Sequence, residues 1–525
     1  MNLVRANLGE LPNYALSPED AWSHSQFSQH FTNLDSTRNV VQSEDKSNTE
    51  SWQRSRRGYI LSLLCMACMA GWTLMPTTTV LQAHHAMVNY IATLWPPRFR
   101  FMLTKLRHLS RSVVPYCYTT VKLKCYSPLG GRVCTKPNHA CLRKIVSYWF
   151  YPFRLFLRRL HRAMQIVLMR LPTFESWDMG SAPQAILRGH KQLLFLDDFH
   201  DTCIRCGCPK AAIEMVASDA GQFYEQVSPA LAISSLNACF YKVAEETCEN
   251  TVTQVAGRGV IGHVGGATPE FVPRTKKLLV VRFSELLMWF SLIITSSFVQ
   301  ILDLIFHVKH TPIGSPFGKV SVSCVAGWLE FCWVKSRPYL HWKWWPFGVQ
   351  WHRVMFCLRY TDDLFTMSRL VCSKCQFEIS SAIYPFSFDV SDSGSSANWT
   401  DIRLRGTVHG KILLAPKTKN SGFAWGRDEL KEKDSLPPPY FPRGVRTDAA
   451  IMKGMMKRWF QITPHSHIVL RCAWQKTVEY LVAGYSPRYM RSVWGSLPDT
   501  YIRREIFRLL DNSKSTLLRP PPSTS

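Results

Sequence analysis

Residue types and spacing most directly imply chemistry at Tyr360-Thr361-Asp362-Asp363 in this 525-residue chain. Apolar runs lie on either side, Val354 to Leu358 and Leu364 to Met367, which predicts a hairpin with both carboxylates at its tip. Adjacent carboxylates repel, and holding them beside apolar strands is costly unless a cation compensates. Mg²⁺ suits such a pair, because it takes carboxylate oxygens together with the phosphates of a nucleotide. Phosphoryl transfer between two metal ions needs a further carboxylate from elsewhere in the chain. Ile213-Glu214-Met215-Val216-Ala217-Ser218-Asp219 supplies it, a short apolar strand with Asp219 at its end and Tyr224 five residues later. A third box, His310-Thr311-Pro312-Ile313-Gly314-Ser315-Pro316-Phe317-Gly318, is a glycine-bearing turn before a helical run to Glu330. Such a turn lets backbone approach a substrate closely.

Other clusters compete for the same roles. Leu196-Asp197-Asp198-Phe199-His200-Asp201 is a rival first carboxylate box, but no aromatic sits at the matching offset, and a solvated acidic turn is expected. Cys203-x2-Cys206 and Cys372-x2-Cys375 could each donate half of a zinc site, although neither has a partner pair at the usual spacing. Cys117, Cys125, Cys134, His139 and Cys141 are too irregular for a recognisable zinc knuckle. Seventeen cysteines, an odd number scattered through apolar runs, suit reduced thiols better than a disulfide scaffold.

The elements that must position these residues lie in a strongly basic chain. The formal net charge is +26, an excess that points to a polyanionic partner rather than to folding. No Asp or Glu occurs between Glu50 and Glu175, while Arg98, Arg107, Lys124, Arg143, Arg154, Arg158, Arg159 and Arg162 fall there with other cations. Neutralising phosphates with them would give tight, salt-sensitive, sequence-blind binding. Residues 1–57 are polar and aperiodic and are expected to be a disordered leader. Tyr59 to Met75 is the most apolar run, behind Arg54, Arg56 and Arg57, at the short limit for a membrane span. A buried helix is the alternative, and no cleavable secretory signal opens the chain. Residues 58–189 form a basic region with mostly helical patterns, such as Lys144 to Met169. Residues 190–410 alternate short β-rich runs with helices. Leu278 to Val308 is interrupted by Arg282, Glu285 and Asp303 and reads as soluble core helices. Residues 411–515 read as basic and helical, ahead of a Pro/Ser tail at 516–525.

Taken in order, Asp219-x4-Tyr224, Pro312-x-Gly314-Ser315-Pro316 and Tyr360-x-Asp362-Asp363 resemble motifs A, B and C of the reverse transcriptase palm. The resemblance continues downstream. Trp399-Thr400-Asp401-Ile402 looks like the Phe-Leu-Asp segment that follows the palm in non-LTR and Penelope-like retroelements. Lys411 to Asn420 is similar to their Lys-Pro-Thr segment. Lys453 to Arg458 and Gly484-Tyr485-Ser486-Pro487 resemble the thumb of Penelope-like elements. The likeness covers about residues 190–495. Ile313 stands where many relatives have Gln. No basic residue is fixed for the triphosphate, Arg188 and Lys191 being the candidates, and Lys374 is the nearest to a motif D lysine but poorly spaced for it. The signature that telomerases carry upstream of the palm is not apparent.

The resemblance implies an α+β right-hand polymerase with fingers, palm and helical thumb, making DNA on an RNA template from dNTPs. Asp219, Asp362 and Asp363 would hold two Mg²⁺ ions, with Mn²⁺ as a substitute. Tyr224 would pack under the incoming sugar and exclude a 2′-hydroxyl. Pro312, Gly314 and Ser315 would shape the nucleotide pocket, and Tyr360 would support the primer end. RNA template, DNA primer and dNTPs are the implied partners, with a nuclear or cytoplasmic location and no membrane. Two other readings stand beside this one: a catalytically inactive nucleic-acid-binding retroelement relic, and a basic protein anchored to a membrane through residues 59–75.

Overall fold

A computed structural model describes residues 39–43, 51–55, 63, 67, 72–75, 114–121, 142–148, 151, 154–221, 223–255, 262–265, 278–295, 297–301, 304–310, 314–417, 444–482 and 484–512. The chain mixes helices with antiparallel and mixed sheets, an α+β composition. It gathers into two compact units. One comprises residues 1–45, 51–175 and 222–335, the other 46–50, 176–221 and 336–525.

In the first unit a five-stranded sheet runs Thr73–Met75, Leu304–His307, Phe298–Ile301, Tyr116–Val121, Leu142–Ser147, with one parallel pairing at Gln300 and Tyr116. A three-stranded antiparallel sheet joins Gly262–Val264, Thr251–Val255 and Leu278–Arg282. Helices Arg154–Leu168, Pro229–Thr247, Phe283–Thr295 and Gly318–Ser336 accompany them. Two buried carboxylates are paired rather than left bare, as burial of charge demands. Glu330 accepts from the Phe174 amide at 2.7 Å, and Glu175 accepts from the Ser323 hydroxyl at 3.2 Å with Lys319 at 3.5 Å.

Several expectations are corrected here. Within the leader at 1–57, Asn39–Ser43 pairs with Ser51–Ser55 as an antiparallel hairpin, since backbone pairing does not require an apolar pattern. The basic region carries strands at Tyr116–Val121 and Leu142–Ser147, so the helix expected from Lys144 begins at Arg154. β-branched Thr119, Thr120, Val121, Ile145 and Val146 favour the extended form. Among the described residues of the run Leu278 to Val308, Phe283–Thr295 is helical, while Leu278–Arg282, Phe298–Ile301 and Leu304–His307 are strands. A strand covered on both faces reads as an unbroken apolar run, which periodicity cannot tell from a buried helix. Thr73–Met75, the end of the candidate span, is itself a strand, and most of 59–71 lies outside the described residues. Among the described residues no helix is long and apolar enough to cross a membrane.

The second unit holds Glu214–Ala220 (β1), Phe356–Tyr360 (β2), Asp363–Ser368 (β3) and Phe388–Gly394 (β4). They form an antiparallel sheet in the order β2-β3-β1-β4. Ser396–Trp399 (β5), Ile402–Gly406 (β6) and Ile412–Pro416 (β7) make a second antiparallel sheet. The opening of the region from Lys411, expected to be helical, is thus a strand.

Alternation along β1 and β3 puts Met215, Ala217, Phe365 and Met367 into one cluster with Leu358, Trp399 and Leu404. Helix Ala182–Gln192 (α1) joins this cluster through Ala182 and Ile186. A Cβ on its Gly189 would fall 2.1 Å from the Phe356 ring, so α1 meets β2 at a distance only glycine allows. Helix Ser373–Ser381 (α2) packs against β1 and β3 through the fully buried Gln376. Its amide donates to the Glu214 and Val371 carbonyls at 3.1 and 2.8 Å, and its oxygen accepts from the Thr366 hydroxyl at 3.0 Å.

Four helices follow: Val445–Ile462 (α3), Ser466–Val482 (α4), Pro487–Gly495 (α5) and Thr500–Asn512 (α6). Their core is Met452, Trp459, Tyr480, Trp494, Ile502 and Ile506, with Asp448 buried among them. Asp448 accepts from the Tyr480 and Tyr489 hydroxyls at 3.1 and 2.6 Å. Gly484 takes a left-handed φ of +93° to close α4, and Ser486 caps α5 by accepting from the Tyr489 amide at 3.1 Å.

Candidate active site

The hairpin expected at Tyr360 to Asp363 is present. β2 and β3 pair in register from Phe356↔Met367 to Tyr360↔Asp363, leaving Thr361 and Asp362 as the turn. Thr361 has a φ of +60°, a conformation β-branched residues rarely adopt. The surroundings hold it there. The fully buried Arg359 donates to the Thr361 carbonyl at 2.8 Å, and the Ala220 amide donates to the Asp362 carbonyl at 3.0 Å. On the other side the Trp399 indole donates to the Asp363 carbonyl at 3.2 Å. A side chain, a neighbouring strand and a second sheet therefore fix the tip that carries the two carboxylates.

Register decides what faces that tip. Asp363 of β3 pairs directly with Asp219 of β1, and Asp219 pairs in turn with Asp389 of β4. Three carboxylates stand in one row across three strands, with Asp362 next to the first. Directly opposed residues have Cβ atoms ~5 Å apart, and like charges so placed destabilise a sheet. Asp219 and Asp389 are exposed while Asp362 and Asp363 are half-buried, so the row is open to solvent on one side. A row of hard oxygen donors with one open side fits divalent cations that keep positions for phosphate oxygens. Asp389 has no motif around it in the sequence, and only strand pairing reveals its neighbour. Tyr360, half-buried, closes the end of the hairpin opposite Asp363.

The remaining sequence-selected residues lie in the first unit. Tyr224 is on the short helix Phe223–Gln226, its ring edge-on to Phe223 at 6.4 Å. Pro312 lies outside the described residues. Gly314 has a φ of +96°, and a Cβ there would meet the Val146 carbonyl oxygen at 2.3 Å, so conformation and space both require glycine. The Ser315 hydroxyl accepts from the Phe317 amide at 3.3 Å and hydrogen-bonds Tyr148, whose phenol burial pushes up to about 12. His161, hydrogen-bonded at the Pro316 carbonyl, is held down to about 4 by burial and by the nearby Lys319.

The rival acidic box is a solvated turn. Asp197 and Asp198 are exposed on a single 3-10 turn, Asp197–Phe199. Arg188 and Lys191 are exposed on α1, and Lys374 is exposed on α2. Cys117 is buried in a strand, and Cys125, Cys134, His139 and Cys141 lie outside the described residues. Two downstream segments meet. Arg458 of α3 grips Asp401, at the β5–β6 turn, with two bonds of 2.7 Å, and also donates to the Met179 carbonyl at 2.5 Å. A planar fork on a carboxylate is the geometry guanidinium favours.

No protein-family model matches the chain, and no curated protein matches it. Solved structures similar to it include a telomerase from Candida albicans in complex with a TWJ fragment of telomeric RNA, at 10% identity and a TM-score of 0.44. That alignment covers 90% of this chain and 70% of the other. An apo telomerase from Candida tropicalis aligns at 11% identity and a TM-score of 0.39, over 91% of this chain and 66% of its own. A further telomerase structure from the same species, in complex with the TWJ fragment, is covered over 62% of its length, so the chain spans about two thirds of these proteins.

Proposed function

We propose that this chain is a reverse transcriptase, extending a DNA primer on an RNA template by phosphoryl transfer from dNTPs. The observation that carries this is the register setting Asp219 against Asp363 at the tip of the Tyr360-Thr361-Asp362-Asp363 hairpin. In this reading the β2-β3-β1-β4 sheet is the palm, α3 to α6 are the thumb, and basic N-terminal segments belong to the fingers. Asp219, Asp362 and Asp363 would hold two Mg²⁺ ions, with Mn²⁺ as a substitute. Bound there, the ions supply a lowered pKa for the primer 3′-hydroxyl and charge neutralisation for the leaving pyrophosphate. The hairpin contributes rigidity, since Arg359, Ala220 and Trp399 hold the backbone carbonyls of the turn that carries the carboxylates.

The family resemblance gives the other roles. Tyr360 supports the primer end, Tyr224 excludes a 2′-hydroxyl from the sugar site, and Pro312, Gly314 and Ser315 shape the nucleotide pocket. The cation-rich, acid-free stretch before Glu175 suits the backbone of an RNA–DNA hybrid. Placement among non-LTR or Penelope-like elements rests on the segments at 399–402, 411–420, 453–458 and 484–487 alone.

The test is extension of a DNA primer on an RNA template, with dNTPs and Mg²⁺, by the purified protein and by Asp362→Ala/Asp363→Ala. Extension by the parent and none by the variant is expected. A folded parent that binds the hybrid but adds no nucleotide would establish the inactive relic instead.

A further inference from the structure

Cys203-x2-Cys206 and Cys372-x2-Cys375, more than 160 residues apart in sequence, come together in the second unit. The four sulfurs all lie within 4.8 Å of one another, and no other His, Cys, Asp or Glu group among the described residues is so close. Cys206 Sγ and Cys372 Sγ are 3.7 Å apart. A tetrahedral site with Zn–S near 2.3 Å has sulfur–sulfur edges of ~3.8 Å, whereas a disulfide needs ~2.05 Å. The 3.7 Å separation matches one edge of such a tetrahedron, the other sulfurs lie near enough to complete it, and a closed disulfide between these two is excluded.

The backbone is arranged for the same purpose. Cys203 to Cys208 is a tight turn closed by a Thr202–Pro209 bridge, with the Cys203 amide donating to the Cys208 carbonyl at 2.9 Å. Gly207, just past Cys206, takes a φ of +70° and its amide donates to the Cys203 carbonyl at 2.8 Å. Cys372 is the N-cap residue of the nine-residue helix α2 and Cys375 lies in its first turn, so one helix end presents both sulfurs. The Cys372 amide donates to Cys203 Sγ at 3.3 Å, an N–H to sulfur bond across the two halves. Cys203, Cys372 and Cys375 are buried and Cys206 is exposed, so the site is closed on most sides and has one edge for metal entry. Arg205 pairs with Glu378 of α2 at 2.7 Å over the same contact.

We infer that Cys203, Cys206, Cys372 and Cys375 form a structural zinc site that ties the turn before β1 to helix α2 after β3. All four positions are filled by protein sulfur, which leaves none for a substrate and makes the site structural rather than catalytic. Glu214 at the start of β1 pairs with Ser368 at the end of β3. Zinc would therefore clamp that end of the two strands whose opposite ends present Asp219 and Asp363.

Metal analysis tests this without reference to polymerase activity. Protein purified under reducing conditions without chelator is measured for zinc by mass spectrometry, beside Cys206→Ser, Cys206→His and Cys208→Ser. The expected result is one zinc per chain in the parent, in Cys208→Ser and in Cys206→His, which keeps a ligand. At least a tenfold lower retention after dialysis is expected for Cys206→Ser, whose exposed position spares the core. Replacement by Co²⁺ should give the thiolate-to-cobalt charge-transfer and d–d bands of a tetrahedral sulfur site. A folded parent that holds no zinc and takes none up from added Zn²⁺ would overturn the assignment, as would equal loss in Cys208→Ser and Cys206→Ser.

Discussion

Strands β1 and β3 have two ends, and the chain equips them oppositely. At one end Asp219, Asp363 and Asp389 line up as hard oxygen donors on an open row, with Asp362 in the turn beside them. At the other, four sulfurs converge, three of them on buried cysteines. Oxygen donors with an open side suit ions that exchange ligands with phosphates, while a filled sulfur tetrahedron suits an ion that never leaves. In the proposed reading the same pair of strands would separate chemistry from anchorage by about five residues, or ~17 Å at the rise of an extended chain.

Substitutions can break or sharpen that division. The largest effect is expected from Asp219→Asn, which should lower primer extension by about three orders of magnitude or more while zinc content and melting temperature stay at parent values. A parallel loss of zinc or of folding would dissolve the separation between the two ends. Next comes Asp448→Ala in the helical bundle, which strands two phenolic hydroxyls in a buried site. Chemical denaturation should show a loss of about 2–4 kcal/mol, with Tyr480→Phe costing about 1 kcal/mol.

A comparable effect follows from pH in the first unit. His161 has a folded pKa of about 4, below its unfolded value, so the unfolded chain binds the proton first. Its contribution is fully present above ~6.5, falls as pH drops toward ~4, and amounts to at most about 3 kcal/mol. His161→Gln should flatten that part of a stability-against-pH curve, and an unchanged curve would remove His161 as the cause. Asp389→Asn should change extension by less than about tenfold, because Asp389 joins the row only through Asp219. The smallest change is expected for Arg458→Lys, about 0.5–1 kcal/mol from losing the fork on Asp401.

The carboxylate end was legible in the sequence because its signals are local: two apolar runs around Asp362-Asp363, and one run ending at Asp219. The hairpin register follows from the same alternation that buries Phe365 and Met367. Asp389 was not legible, since its neighbour is fixed by pairing across β1 and not by spacing along the chain. Each cysteine pair was visible alone, yet the partnership depends on β1 and β3 lying side by side, which no cysteine spacing encodes. The strand Leu304–His307 was hidden for a different reason, because Leu304, Ile305 and Phe306 are all buried and burial on both faces erases the period-two pattern.

Template-directed incorporation of single nucleotides measures the central claim most directly. Zinc-loaded protein, Mg²⁺ and a DNA primer are combined with four RNA templates that differ only in the first unpaired base, and each dNTP is supplied alone. Incorporation of only the complementary nucleotide on each template, abolished by Asp219→Asn, is the expected result. A folded, hybrid-binding protein that adds no nucleotide, or adds one regardless of the template base, would contradict it.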